Sequence, residues 1–264
     1  MRRLVACVGL LAAAGQASAA PGKPSPFRVE PWRDGATLAL GLTLWIGPMA
    51  AEGVIRPPCD PCDPDRLNAL DRPVVRFGSS EVADRAGDVM VAVVSSAAFA
   101  GSLASLPRWG WTGVAEDMTL IAESVVLAGA LNQIVRFGVR RPRPFMYRPG
   151  ARPELRDTGG ASLSFYSGHT STAFAAASSF AYTWSARRPG SDLRPLVWLG
   201  SLMAATSVAL LRVGSGEHFW SDVIVGAAAG TCMGIVVPAL HRRGATRRVR
   251  AVVSPTWAGL QGRF

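Results

Sequence analysis

Along the chain, long apolar stretches alternate with short polar joints. The apolar segments fall at 36–55, 87–106, 116–135, 170–186, 195–211 and 219–240. Each is near the roughly 20 residues that a helix needs to cross a bilayer, several of them at the short end. The strict alternation of half-buried strands is absent, and so is any internal repeat of note. Ala, Gly and Ser are frequent in these segments, which suits close helix packing in lipid. The pattern predicts an all-α, membrane-embedded helical bundle of about six helices.

The remainder divides around that bundle. Residues 1–20 carry an Arg pair, an apolar core and a small-residue end, the pattern of a secretory leader cleaved near Ala19 or Ala20. A polar, Pro-containing linker covers 21–35, the helical domain 36–240, and a basic tail 241–264.

Composition supports the bundle, with 49% hydrophobic and 17% charged residues against about 25% charged in a soluble domain. A net charge of +10 raises the question of nucleic acid. No basic helix or aromatic-interleaved basic groove is present, which argues against that partner. The arginines gather instead in short joints. Arg187, Arg188 and Arg194 face the single Asp192, and Arg242, Arg243, Arg247, Arg248 and Arg250 follow the last segment. Both regions read as cytoplasmic, placing the joints at 138–168 and 212–218 outside, as in a bacterial-type inner membrane protein with its site facing the periplasm. A cleaved leader conflicts with this, because it leaves the new N-terminus outside and six spans then put the C-terminus there too. Either the leader is not cleaved, or one segment fails to span, the candidate being 36–55 with its Gly47-Pro48 break.

Cys59 and Cys62 form a lone CxxC in a Pro- and Asp-rich joint, without the partner ligands that zinc requires. A small disulfide or two idle thiols fit better. The acidic run from Asp60 to Asp65 reads as a solvated turn, and His241 beside Arg242 as solvated charge.

Three polar clusters break the apolar pattern at predicted helix ends. Arg136, Arg140, Arg141 and Arg143 precede Pro144. Guanidinium forks suit phosphate oxygens, although a basic joint marking the cytoplasm has the same look. Ser167, Gly168 and His169 open the fourth segment, where free backbone N–H groups and the helix dipole favour an anion. A plain N-cap is the bland reading. Arg212, His218 and Asp222 join the fifth and sixth segments, and the i,i+4 spacing of His218 and Asp222 predicts one shared helix face and a mutual hydrogen bond. An interfacial ion pair is the alternative.

These residues resemble the type 2 phosphatidic acid phosphatase superfamily, whose active site is related to that of vanadium haloperoxidases. The family patterns Lys-x6-Arg-Pro, Pro-Ser-Gly-His and Ser-Arg-x5-His-x3-Asp correspond here to Arg136-x6-Arg143-Pro144, Tyr166-Ser167-Gly168-His169 and Leu211-Arg212-x5-His218-x3-Asp222. The resemblance implies metal-independent hydrolysis of a lipid phosphate monoester or prenyl pyrophosphate through a phosphohistidine, with no cofactor and no metal required. It implies His218 as nucleophile, Asp222 orienting it, His169 as proton donor, and Arg136, Arg143, Ser167, Gly168 and Arg212 holding the phosphoryl oxygens. Arg136 for Lys, Tyr166 for Pro and Leu211 for Ser depart from the family pattern. The implied partners are the bilayer and a membrane lipid phosphate. The alternative is a catalytically weak lipid-binding or scaffold protein that keeps the phosphate pocket.

Overall fold

The computed structural model describes residues 24–76 and 78–243, and the backbone of 249–254 and 257–262. The leader lies outside the described residues, as does the tail between 244 and 248. The body is all-α, as the apolar pattern predicts. Its helices are α1 (Pro31–Ile46), α2 (Glu81–Gly101), α3 (Leu106–Val139), the single turn α4 (Pro153–Arg156), α5 (Gly168–Arg187), α6 (Arg194–Gly214) and α7 (Trp220–Leu240). Strands β1 (Val249–Ser254) and β2 (Trp257–Gly262) form an antiparallel hairpin in the tail. The alternation that would announce a strand spans only six residues on each side there, too short to stand out beside the helical segments.

Among the described residues, four stretches are long and apolar enough to cross a membrane: 31–54, 81–147, 194–214 and 220–240, the second holding both α2 and α3. The protein is accordingly an integral membrane protein. Large apolar side chains such as Leu40, Leu196, Leu199, Met203, Leu210 and Ile224 point outward, where a soluble protein would carry charge. The Gly47-Pro48 break does not end the first segment, because the chain continues from α1 as a 3-10 helix over Gly47–Val54.

Helix α5 is absent from the apolar set for a physical reason. It is the central helix, packed against α2, α3, α6 and α7, so it meets protein and needs no greasy exterior. Its buried face is Ala, Ser and Thr, including Ala173, Ala175, Ala176, Ser178 and Ser179. Helix α7 meets it with Gly226, Gly230 and Gly234, where an added Cβ would collide with the backbone of Ser167, Ser171 and Ala175 respectively. That spacing is the small-xxx-small packing of membrane helices, in which short side chains let backbones touch.

The bundle has two polar ends. One collects the 47–80 segment, the 140–167 segment and the 215–219 joint. The other gathers the start of α1, the α2–α3 and α5–α6 joints, and the end of α7. Residues 26–28 and 241–243 meet at this second end, where the Arg28 amide donates to the His241 carbonyl at 2.9 Å and the Arg243 amide to the Pro26 carbonyl at 2.9 Å. Arg187, read from sequence as joint charge, is buried here instead. Its guanidinium holds Asp117 at 2.8 Å and Glu116 at 2.9 Å and lies over the Trp109 and Phe27 rings. The two carboxylates fall one helical step apart on α3, a pairing that appears only once α3 and α5 are side by side.

Candidate active site

All eight site residues expected from sequence lie at the first polar end. Helix α3 carries Arg136 and terminates at Arg140, which takes a left-handed conformation (φ 50) and reverses the chain. Arg141 and Arg143 are thereby turned back over the bundle. Ser167 is the N-cap of α5: its amide donates to the Asp222 carbonyl at 3.1 Å, and its hydroxyl accepts from the Thr170 amide at 3.4 Å. Gly168 follows, so close to α3 that a Cβ would sit 3.0 Å from the Asn132 side-chain oxygen. Between α6 and α7, Gly216 adopts φ 73 and makes the tight turn that brings His218 back beneath Arg212. The Arg212 carbonyl accepts the His218 amide at 3.2 Å.

The expected hydrogen bond between His218 and Asp222 is not made. His218 lies ahead of α7, whose first residue is Trp220, so the two side chains do not share a helical face. The separation of Nδ1 from the Asp222 Oδ2 is 3.6 Å, beyond hydrogen-bonding distance. Nδ1 instead faces the Ser164 carbonyl oxygen at 2.9 Å. A carbonyl can only accept, so Nδ1 carries the proton and Nε2 the lone pair. Asp222 holds the surroundings of the ring. Its Oδ2 accepts from the Phe219 amide at 2.9 Å and from the Ser164 hydroxyl, and its Oδ1 from Arg141 at 2.6 Å. The carboxylate thus fixes the two residues that position the imidazole rather than the imidazole itself.

His218 is only 3% exposed. Burial, aided by the nearby Arg143 and Arg212 charges, outweighs the attraction of Asp222 and pushes it down to about 3. The ring is therefore neutral at ordinary pH, with a free nitrogen. His169, on the first turn of α5, is held by Asp88 of α2 at 2.9 Å.

Each arginine expected to hold phosphate is matched by a carboxylate that the motif reading passed over. Arg136 pairs with Glu52. Arg143 pairs with Glu217 and donates from Nε to the Gly160 carbonyl at 2.8 Å. Arg212 reaches Asp84 at 2.6 Å, Asp88 at 3.3 Å and Glu217 at 3.8 Å. A second layer also escaped the motifs. Arg141 spans Asp222 and Asp71, lies 4.1 Å over the Phe219 ring, and shares Ser221 with Asp71. Burial pushes the Asp71 carboxyl up, but hydrogen bonds from Ser221, Arg141 and Asn68 outweigh it and hold the group below the usual carboxylate range. Sequence offered one signal for part of this set: Asp84 and Asp88 recur at i,i+4 where an apolar segment begins. Glu52 and Asp71 stand in joints with nothing to mark them.

Beside the polar cluster opens a cleft of about 360 Å³ between α1, α2, α3 and α5. Arg136, Gly168 and His169 line it together with Trp45, Met49 and Val91. At the same end Cys59 and Cys62 form a disulfide whose loop packs on Phe145, Met146 and Ala161. Asp60 of that loop is exposed, as a solvated turn residue should be, and also pairs with Arg156.

The family model described as the PAP2 superfamily matches residues 117–244, which contain every one of the three motifs. Residues 117–244 belong to the PAP2 superfamily. The chain is 40% identical over 78 residues to phospholipid phosphatase 1 of Mus musculus, covering 28% of each chain. It is 35% identical over 80 residues to lipid A 1-phosphatase of Porphyromonas gingivalis, covering 30% of this chain and 17% of that one. The matched stretch is therefore under a third of either curated relative. A solved structure, a transmembrane PAP2-type phosphatidylglycerolphosphate phosphatase from Bacillus subtilis, is similar over 79% of this chain and 96% of that chain, with 18% identity and a TM-score of 0.47. Helices α1 and α2, which supply Glu52, Asp84 and Asp88 or lead into them, lie ahead of the PAP2 match.

Proposed function

We propose that the protein hydrolyses a phosphate monoester or pyrophosphate carried on a lipid, with His218 as nucleophile. The observation that carries this reading is the buried, neutral His218, its Nδ1 proton committed to Ser164 and its Nε2 left as a lone pair beside Arg143 and Arg212. Attack of Nε2 on phosphorus forms the N–P bond and breaks the bond to the lipid oxygen, which takes a proton from His169. A water deprotonated by His169 then attacks the phosphohistidine, releasing inorganic phosphate and restoring His218. Arg136, Arg143, Arg212 and the Ser167–Gly168 helix start neutralise the phosphoryl oxygens as charge shifts onto them. The proposal routes this neutralisation through the arginines and the helix start, with Glu52 and Glu217 giving way to the phosphoryl group, and calls on no metal ion. Asp222 and Arg141 act as positioning residues behind the imidazole.

The cleft supports a lipid-like substrate. Its polar mouth holds His169 and Arg136, while Trp45, Met49 and Val91 offer a wall for an acyl or prenyl chain. The site is proposed to face the periplasm or exterior of a bacterial-type inner membrane. Arg28, Arg33, Arg194, Arg242 and Arg243 gather at the opposite end, and the Cys59–Cys62 disulfide at the site end suits an oxidising compartment.

The test is phosphate release in EDTA from detergent-dispersed phosphatidic acid and prenyl pyrophosphate, comparing wild type with His218→Ala. Release by the wild type alone supports the reading. Equal release by both proteins removes His218 from the chemistry, and binding of lipid without release points to a scaffold that keeps the pocket.

A further inference from the structure

At the end of the bundle remote from the proposed phosphatase site, three helices converge on a second polar cavity of about 550 Å³. Asp34 of α1, Glu123 of α3 and His241 at the C-cap of α7 line it, and their ligand atoms all lie within 4.8 Å of one another. His241 was read from sequence as solvated charge, but its side chain is only 19% exposed, and those of Asp34 and Glu123 are 7% and 2% exposed.

Two of the three groups are already oriented by the protein. His241 Nδ1 faces the Val237 carbonyl at 2.8 Å and must donate to it, so Nε2 is the nitrogen turned towards the carboxylates. Asp34 accepts the Glu30 amide on Oδ2 at 2.6 Å, leaving Oδ1 directed at His241. A backbone partner on the far nitrogen is the usual way a metal-binding imidazole is held. Nε2 lies 3.3 Å from Asp34 Oδ1 and 3.5 Å from Glu123 Oε2. For metal–ligand bonds of about 2.0–2.2 Å, the edge of a tetrahedron is roughly 3.3–3.6 Å. Both edges from Nε2 thus match those of a tetrahedral ion's ligands, and the Asp34 and Glu123 oxygens lie within 4.8 Å of each other.

A second observation comes from Glu123 itself. Its other oxygen, Oε1, is buried and has no hydrogen-bond partner among the described residues. A carboxylate oxygen left bare in this setting is costly unless a cation or a proton neutralises it. Of the arginines lining the cavity, Arg28 and Arg33 pair with Glu30 and Arg243 donates to the Phe27 carbonyl, while Arg242 also lines it; none is a hydrogen-bond or salt-bridge partner of Glu123 among the described residues.

We propose that Asp34, Glu123 and His241 form a binding site for a divalent transition-metal ion of the zinc class, with solvent as the fourth ligand. The ion would tie α1 to α3 and α7 at the end where residues 26–28 meet residues 241–243. It is a structural site, separate from the phosphate chemistry at the opposite end.

The test uses the full chain in detergent, without a polyhistidine tag, stripped of metal and titrated with Zn2+ alone at about pH 8, since ligands must be deprotonated to bind. Expected are uptake of one equivalent and a rise in unfolding temperature. Co2+ in place of Zn2+ should give the visible bands of a tetrahedral nitrogen–oxygen site. Glu123→Gln and His241→Ala should each weaken uptake by at least about tenfold. The wild-type titration stands even where a variant fails to fold. No stoichiometric uptake by the wild type overturns the proposal and leaves His241 as a hydrogen-bonding bridge between the two carboxylates. Thiolate charge-transfer bands with Co2+ would place the metal on cysteine and overturn it equally, as would uptake unchanged in both variants.

Discussion

Protonation of His218 is opposed by the fold, and that opposition is measurable as stability. The folded value is about 3 against an ordinary 6.5. Between those values the unfolded chain holds a proton on this ring and the folded protein does not. Stability therefore rises with pH across the window: the contribution is intact above about 6.5 and is lost progressively as pH falls towards 3. The slope is about 1.4 kcal/mol per pH unit, so moving from pH 6.5 to pH 5 costs about 2 kcal/mol from this group alone. His218→Asn removes the titration while placing an amide N–H where Nδ1–H now donates to Ser164. Thermal unfolding of both proteins in detergent, at about pH 7.5 and pH 5, isolates the term, because every other titrating group is common to the two. The wild type should lose about 2 kcal/mol more than the variant, a further fall of about 4–8 °C in unfolding temperature. Parallel losses in the two proteins would refute the claim that His218 is held neutral by burial, and with it the argument for a ready nucleophile.

Three other outcomes follow from the same geometry. Asp222→Asn should lower kcat by about 100-fold or more with an unchanged elution volume, since Ser164, Phe219 and Arg141 all depend on the carboxylate; a loss under threefold in phosphate release would remove it from the positioning network. Arg143→Lys should cost at least about tenfold in kcat/KM, because a point charge cannot serve both Gly160 and a phosphoryl group as the fork does, and steady-state kinetics on dispersed phosphatidic acid would show it. Glu217→Gln should tighten inhibition by vanadate about tenfold, because Glu217 occupies Arg143 and Arg212 in competition with an anion; unchanged inhibition would mean that the arginines bind phosphate without releasing that carboxylate.

What could be read from the one-dimensional chain was whatever repeats or clusters locally. Six apolar segments gave the helical class, because a backbone in lipid must satisfy its hydrogen bonds within each helix. The three motifs gave Arg136, Arg143, Ser167, Gly168, His169, Arg212, His218 and Asp222 as candidates, because each motif is short and lies at helix ends and the joints beside them, so its members stay close in space. Tertiary structure decided the rest. Helix α5 became the core rather than a lipid-facing span only when four neighbours surrounded it. His218 found the Ser164 carbonyl, 54 positions away, in place of the Asp222 partner that helical spacing predicted, because α7 begins two residues too late. The carboxylates Glu52, Asp71, Asp84 and Asp88 are separated from their arginines by tens of residues. Asp34, Glu123 and His241 are likewise far apart in sequence, at three different helices. Burial and charge neutralisation act between elements, and no periodicity within one element records which partners the packing will bring together.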